Sequence, residues 1–256
     1  MSSYEALARF YDELTEDVDY GAWADFYERL FARAARPIHT VLDLACGTGT
    51  LTCLLAERGY EMIGVDASEE MLLEAAEKAA VLPADKRPMF LHQPMEELDL
   101  YGTIDACVCA LDSVNYVTEP KKLRRAFERV QLFLMPGGLF IFDINTPAKL
   151  RGMDGQMFLD EREEVYCVWR AECRGRLCTY GFDLFTREEN GLWSRAWEEH
   201  QEYAYEPAEL EEYLHQAGFD QVRWYGDRKL RRPAEREARI FMTARKDPKW
   251  QMKSFV

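Results

Sequence analysis

The chain has 256 residues, 48% hydrophobic and 30% charged, which suits one soluble α/β domain of full size with room for an inserted subdomain. A formal net charge of −14 works against nucleic acid and anionic membranes as partners, and no run approaches the roughly 20 apolar residues that span a bilayer. Seven cysteines without zinc-site pairing, behind an opening Met1-Ser-Ser-Tyr-Glu5 unlike an export signal, point to a reducing cytoplasm and no metal. Residues 4–13 then read as a short helix with Leu7, Phe10 and Tyr11 on one face. Residues 21–36 read as a second, with Trp23, Phe26, Tyr27, Leu30 and Phe31 at helical spacing and Pro37 ending it.

His39 to Leu42 reads as a short strand that Asp43 ends, and helical periodicity resumes at Leu51. Between them lies a loop of small residues with Ala45, Gly47 and Gly49 spaced i, i+2, i+4. Strand, tight glycine loop and helix open an open α/β sheet, and the loop lets a ligand approach backbone N–H groups closely. The G-x-G-x-x-G pattern of dinucleotide sites is absent, and Asp43 at the mouth of the loop would repel a pyrophosphate. Asp43 suits an ammonium group instead. A second carboxylate, Asp66, ends the next apolar run, residues 60–66, where an acid takes the hydroxyls of a ribose. An amine, a ribose and no diphosphate describe S-adenosylmethionine better than NAD.

These residues carry a resemblance. Val41-Leu-Asp-Leu-Ala-Cys-Gly-Thr-Gly-Thr50 resembles motif I of class I S-adenosylmethionine-dependent methyltransferases, with Ala45 where many members have the first glycine. Val65-Asp-Ala-Ser-Glu-Glu-Met71 resembles the segment that follows it. The resemblance implies that Asp43, Ala45, Cys46, Gly47 and Gly49 hold the cofactor's amino-acid end. It puts Asp66 and Ala67 on the ribose and Met71 near the adenine. The opening Tyr4…Ala8-Arg-Phe-Tyr11-Asp12, then Tyr20, is similar to bacterial N-methyltransferases acting on amino sugars, where such helices form a lid. Tyr11 or Tyr20 would then face the cofactor, a π face favouring the sulfonium charge.

Ser68 reads as an N-cap and residues 69–80 as a helix; residues 88–92 form a third strand running into Gln93-Pro94-Met95. The family usually has an acid where Pro94 stands, so Gln93 and Met95 are expected to hold the adenine edge. Residues 105–111 form a fourth, wholly apolar strand ending in Asp112-Ser113-Val-Asn115-Tyr116. Polar residues at the carboxyl end of a central strand mark the ligand side of such sheets, the place expected for acceptor chemistry. A helix over 121–134, the turn Pro136-Gly137-Gly138 and a fifth strand over 139–144 follow.

From Thr146 alternating segments at 164–169, 177–185 and 193–203, with turn signals at 174–176 and 189–191, predict a three-stranded antiparallel insertion roofing the site. Glu206-Pro207 opens a last helix, Gly218 caps it, and residues 219–226 and 238–245 form the closing strands. The expected fold is a Rossmann-like seven-stranded methyltransferase sheet with an antiparallel last strand, an N-terminal helical lid and a small antiparallel β insertion. The expected division is lid 1–37, core 38–145 and 206–246, insertion 146–205.

The expected activity is methyl transfer from S-adenosylmethionine to a small molecule, with an amine preferred on the lid resemblance, by a monomer or homodimer. Asp112, Tyr116, Tyr11 and His200 are the candidate catalytic residues. Tyr11, Tyr20, Leu111 and Asp112 join the cofactor residues named above. Alternatives are an RNA-modifying methyltransferase, suggested by eleven Lys and Arg against four Asp and Glu over residues 223–253, and a non-catalytic S-adenosylmethionine-binding module. A nicotinamide oxidoreductase is disfavoured by the charge at Asp43.

Overall fold

The computed structural model describes residues 7–188 and 190–248. Residues 4–6 of the expected first helix, Glu189 of the second hairpin turn, and the basic residues Lys249 and Lys253 lie outside them. A 3₁₀ turn over Ala8–Phe10 leads into α1 (Tyr11–Leu14) and then α2 (Tyr20–Phe31), which Asp19 caps by accepting from Ala22 N. Next, β1 (Thr40–Leu44), α3 (Thr50–Glu57), β2 (Glu61–Asp66), α4 (Glu69–Ala80), β3 (Met89–His92), β4 (Ile104–Cys109), α5 (Pro120–Phe133) and β5 (Leu134–Asn145) alternate as a parallel α/β sheet should. After α6 (Pro147–Gly152) come four antiparallel strands, β6 (Met157–Glu161), β7 (Val165–Arg174), β8 (Leu177–Arg187) and β9 (Trp193–Tyr203). The chain closes with α7 (Pro207–Gln216), β10 (Phe219–Gly226) and β11 (Arg239–Lys246).

The main sheet has the order β10-β11-β5-β4-β1-β2-β3, with β11 antiparallel to both its neighbours. Alternation along the strands divides the core. Leu42, Leu44, Cys107, Cys109, Phe140 and Phe142 face α5 and α7; Val41, Ala106, Val108 and Ile141 face α2 and α3. Trp23, Phe26 and Tyr27 surround Phe241 of β11, with ring centroids 5.1, 4.8 and 6.4 Å away. So α2 is a layer of the core, and of the described N-terminal residues Tyr11, Thr15, Val18 and Tyr20 line the site.

The strand order reverses beside β1, whose neighbours are β2 and β4. At such a switch point the loops diverge and leave a crevice at the carboxyl ends of the strands. Several boundaries differ from expectation. β1 runs through Asp43 to Leu44 because both side chains are buried there. The helix α2 stops at Phe31, its last buried residue, well before Pro37. Pro136-Gly137-Gly138 lies inside β5, where the pairing with β4 shifts register.

The second sheet has four strands, in the order β6-β7-β8-β9, where three were expected. The added β6 has weak alternation: Met157 and Leu159 are exposed, and Phe158 stacks on Trp169 at 4.1 Å between ring centroids. A two-residue turn at Gly175-Arg176 joins β7 to β8, and the cross-strand pair Cys173–Cys178 beside it is a disulfide. Flat packing of Trp197 requires Gly181 opposite, since a Cβ there would sit 2.3 Å from the indole.

One buried side chain clasps the two sheets. Asn115 donates to the carbonyls of Asn145 (3.2 Å) and Tyr203 (3.0 Å) and accepts from Asn145 N (3.1 Å). Truncation would orphan the buried N–H and C=O of Asn145, while Tyr203 O keeps its bond from Tyr205 N at 2.9 Å. Asn115→Ala is therefore expected to destabilise the protein by about 2–4 kcal/mol in a denaturant titration. A loss under about 1 kcal/mol would show that the sheets are joined elsewhere.

Candidate functional site

The crevice begins where β1 and β2 end. Ala45, Gly47 and Gly49 all have left-handed backbone, at φ +58°, +54° and +72°, so the chain coils tightly between β1 and α3. Gly47 has open space where a Cβ would be, and its N–H donates to Asp66 Oδ2 at 2.8 Å. Ser68 N donates to Asp66 Oδ1 at 2.9 Å, so one carboxylate ties the two strand-end loops together. An ionised carboxylate has about four acceptor positions, so Asp66 keeps capacity for further donors. Burial raises its pKa, while the bonds from Ser68 and Gly47 oppose the rise.

Behind the turn, Asp43 is 1% exposed and accepts from Thr52 Oγ1 at 2.6 Å. Desolvation pushes its pKa up to about 7. Asp43, Ala45, Cys46, Gly47 and Tyr20 line a small pocket of about 40 Å³ that Tyr11, Leu111 and Ser113 close. Burial also raises the Tyr20 phenol to about 12, so it stays a neutral hydroxyl.

The main cavity, about 800 Å³, runs along the carboxyl ends of the strands. Of the expected residues, Tyr11, Ala45, Gly47, Asp66, Ala67, Met71, Gln93, Met95, Leu111, Asp112 and Tyr116 line it. The cover above is latched at its base. Asp12 accepts from Thr48 Oγ1 (2.6 Å) and Thr50 Oγ1 (3.2 Å) and pairs with Lys78 of α4 (2.5 Å).

Gly49 and His200 lie away from where they were expected, and Gln93 lies on the wall with its amide engaged elsewhere. Gly49 lines neither cavity; a Cβ there would lie 2.9 Å from Ala75 Cβ, so it is glycine for its φ and for packing on α4. Gln93 reaches the wall, but its amide closes the loop after β3, accepting from Asp99 N (2.8 Å) and donating to Asp99 O (3.2 Å). His200 is 2% exposed and lines no part of the cavity; its Nε2 meets Glu198 Oε2 at 3.0 Å. Alternation along β9 explains this: Glu198, His200 and Glu202 are buried, while the intervening Glu199 and Gln201 reach the cavity.

Ser68, Pro94, Glu96 and Ser113 complete the wall together with Thr15, Val18, Val117, Thr118, Glu199 and Gln201, and these last six were not singled out from sequence. The alternation of β9 was the one signal for two of them. The wall carries four carboxylates, Asp66, Glu96, Asp112 and Glu199, and no Lys, Arg or His among the described residues.

Part of the basic C-terminal stretch is engaged within the molecule, while Arg223, Lys229, Arg232 and Arg236 are exposed. Arg231 pairs with Glu237 at 3.0 Å, and Arg239 is held by Asp112 and Asp143. Lys246 Nζ donates to the carbonyls of Gln131 and Leu134, both at 2.7 Å.

Behind the wall, desolvation raises Asp143 to about 6, and raises Glu202, which accepts from Asn145 Nδ2 at 3.1 Å, to about 8. With Asp43, three carboxyls bind protons more tightly folded than unfolded. Their ionisation opposes folding, so stability falls as pH climbs from the ordinary carboxyl range through about 6, 7 and 8. The melting temperature is expected to be several degrees lower at about pH 8.5 than at about pH 5.5, with a shallower decline in Asp43→Asn. A flat or rising profile over that range would contradict the burial of these groups.

The methyltransferase domain family matches residues 41–138, from β1 to the bend in β5. YqeM of Bacillus subtilis, which is named as a methyltransferase with no acceptor stated, is 31% identical over 246 residues, covering 95% of this chain and 97% of that one. An S-adenosylmethionine-dependent methyltransferase from Clostridium acetobutylicum superposes with a TM-score of 0.84 at 31% identity, covering 95% of this chain and 99% of that one. The sugar N-methyltransferase KedS8 of Streptoalloteichus shares the fold, with a TM-score of 0.78 at 22% identity over 96% and 97% of the two chains. With identities of 31% over nearly the whole of both chains, the chain belongs to the S-adenosylmethionine-dependent methyltransferases.

Proposed function

We propose that the protein methylates a small molecule at an amine and that the acidic crevice is where it does so. The observation that carries this reading is the charge of the main cavity wall: four carboxylates with no basic side chain among the described residues. Such a wall favours a cationic or amine ligand and repels phosphates and carboxylates. A polynucleotide acceptor would need the opposite charge. KedS8, a sugar N-methyltransferase by its name, is compatible with an amine here.

The residues present fit the cofactor. Asp43 is a buried carboxyl whose one side-chain bond comes from a neutral hydroxyl, beside a turn of free space, so it suits an ammonium group. Asp66 retains acceptor positions for ribose hydroxyls, and Met71, Pro94 and Met95 give the apolar faces an adenine needs. The bound cofactor supplies an electrophilic methyl on sulfur. Tyr11, Leu111, Asp112 and Tyr116 then orient the acceptor and exclude water, a contribution worth several kcal/mol when the geometry is right. Asp112 is the acid best placed to take the amine's surplus proton.

Two measurements test this. S-adenosylmethionine and S-adenosylhomocysteine at about 100 times their dissociation constants should each stabilise the protein by about 2.7 kcal/mol, NAD should not, and Asp66→Ala should lose the effect. A shift with NAD alone would sink the assignment of the crevice. Because Asp43 must ionise to receive an ammonium group, S-adenosylhomocysteine affinity should rise with pH below about 7, by up to about tenfold per unit, and level off above. In Asp43→Asn the profile should be flat; an unchanged slope would remove Asp43 from the ammonium site.

A further inference from the structure

Leu111 and Asp112, at the carboxyl end of β4, both have left-handed backbone, with φ of +55° and +52°. For residues with a Cβ that conformation costs about 1–2 kcal/mol each, and it persists only where the surroundings over-determine it. Here they do. Asp112 N donates to Asp143 Oδ2 at 2.9 Å, and Arg239 Nη2 donates to Asp112 Oδ1 at 2.6 Å. Arg239 Nη1 closes the ring on the same Asp143 oxygen. The guanidinium carbon lies 5.5 Å from the Trp23 ring centre, so α2 packs against the group as well. Asp143 is fully buried, and its other oxygen has no partner.

A net charge of −1 in so buried a place is a poor means of holding a sheet together. It does have one clear effect. Asp112 lines the main cavity, Oδ1 is occupied by Arg239, and Oδ2 has no protein partner among the described residues. The ring hides the cation behind the wall and presents one carboxylate oxygen of fixed direction.

We propose that Arg239 is a positioning residue, which with Asp143 holds the Leu111-Asp112 turn in its left-handed form and aims Asp112 Oδ2 at the reacting end of the crevice. This rests on the cofactor placement and the role of Asp112 given above. On this reading the strain at residues 111 and 112 is the cost of turning an acid out of the end of a buried strand, and Arg239 offsets it. Loss of Arg239 would let the turn relax and swing the carboxylate away, leaving the Asp43 and Asp66 ends of the site intact.

The test needs no acceptor. Sinefungin carries an ammonium-bearing carbon where the cofactor has its methylsulfonium, whereas S-adenosylhomocysteine is neutral there. The ratio of their affinities by calorimetry on the full chain therefore reads the charge facing the reacting centre. Wild type should prefer sinefungin, and Asp112→Asn should lower the ratio by about tenfold, the effect of losing one nearby opposite charge. The double variant Arg239→Met with Asp143→Asn leaves no unpaired buried charge. It should lower the ratio as much as Asp112→Asn while keeping S-adenosylhomocysteine affinity within about threefold. Arg239→Lys, which loses the two-pronged geometry, should fall between.

If Asp112→Asn lowers the ratio and neither Arg239 variant does, the positioning role is overturned while the placement of Asp112 stands. Equal loss of affinity for both ligands in the Arg239 variants would make the ring a purely structural cluster and overturn it too. If Asp112→Asn itself leaves the ratio unchanged, the carboxylate does not face the reacting centre. Both ideas about it then fall, with cofactor binding still reported by S-adenosylhomocysteine.

Discussion

The carboxylate of Asp66 accepts from Gly47 N and Ser68 N, and the crevice depends on that pair of bonds. It fixes the distance between the turn after β1 and the start of α4, two segments that parallel pairing alone leaves free at their ends. Ser68 then caps α4 by accepting from Met71 N, which places Met71 against the cavity. From α4, Lys78 reaches back to Asp12 and pins the N-terminal cover. One acid at the end of β2 therefore organises a floor, a wall and, through two further contacts, a lid.

The parallel half of the fold was legible because its central strands β1, β4 and β5 are largely buried and its helices carry caps and punctuation that act locally. Helix 69–80 begins at the predicted residue because Ser68 is a strong N-cap. The antiparallel sheet was less legible. β6 pairs on one edge only and has just Phe158 to bury, so its sequence shows little alternation. The site divides the same way. The positions of Asp43, Asp66 and Gly47 at the crevice followed from local pattern, since the strand-turn-helix unit that contains them sets where they lie. The places of Gly49, Gln93 and His200 depend on partners far away or on strand parity, namely Ala75, Asp99 and Glu198. Arg239, 127 residues from Asp112, carries no local signal at all.

Charge was informative in total and misleading in part. The net −14 agrees with an acidic crevice, but Arg231, Arg239 and Lys246 of the basic C-terminal stretch serve as counter-charges for acids or donors to carbonyls, and Arg223, Lys229, Arg232 and Arg236 are exposed. Lys246 shows the logic. Its ammonium is buried among three backbone carbonyls at the end of α5 and the start of β5, and desolvation lowers its pKa to about 8. A lysine in that setting terminates a helix, as a cation at a C-terminus should, and offers little to a partner.

The clasp between the sheets has a consequence for how such a protein diversifies. Asn115 reaches only main-chain atoms of Asn145 and Tyr203, and beside it the buried Glu202 of the roof accepts from Asn145 Nδ2, on the face of β9 away from the crevice. Residues along β9 that face the crevice, Glu199 and Gln201, can be exchanged without loosening the anchor or touching the loops at Asp43 and Asp66. On the proposed reading of the crevice, the roof could then change with the acceptor while the strand-end loops stay under constraint.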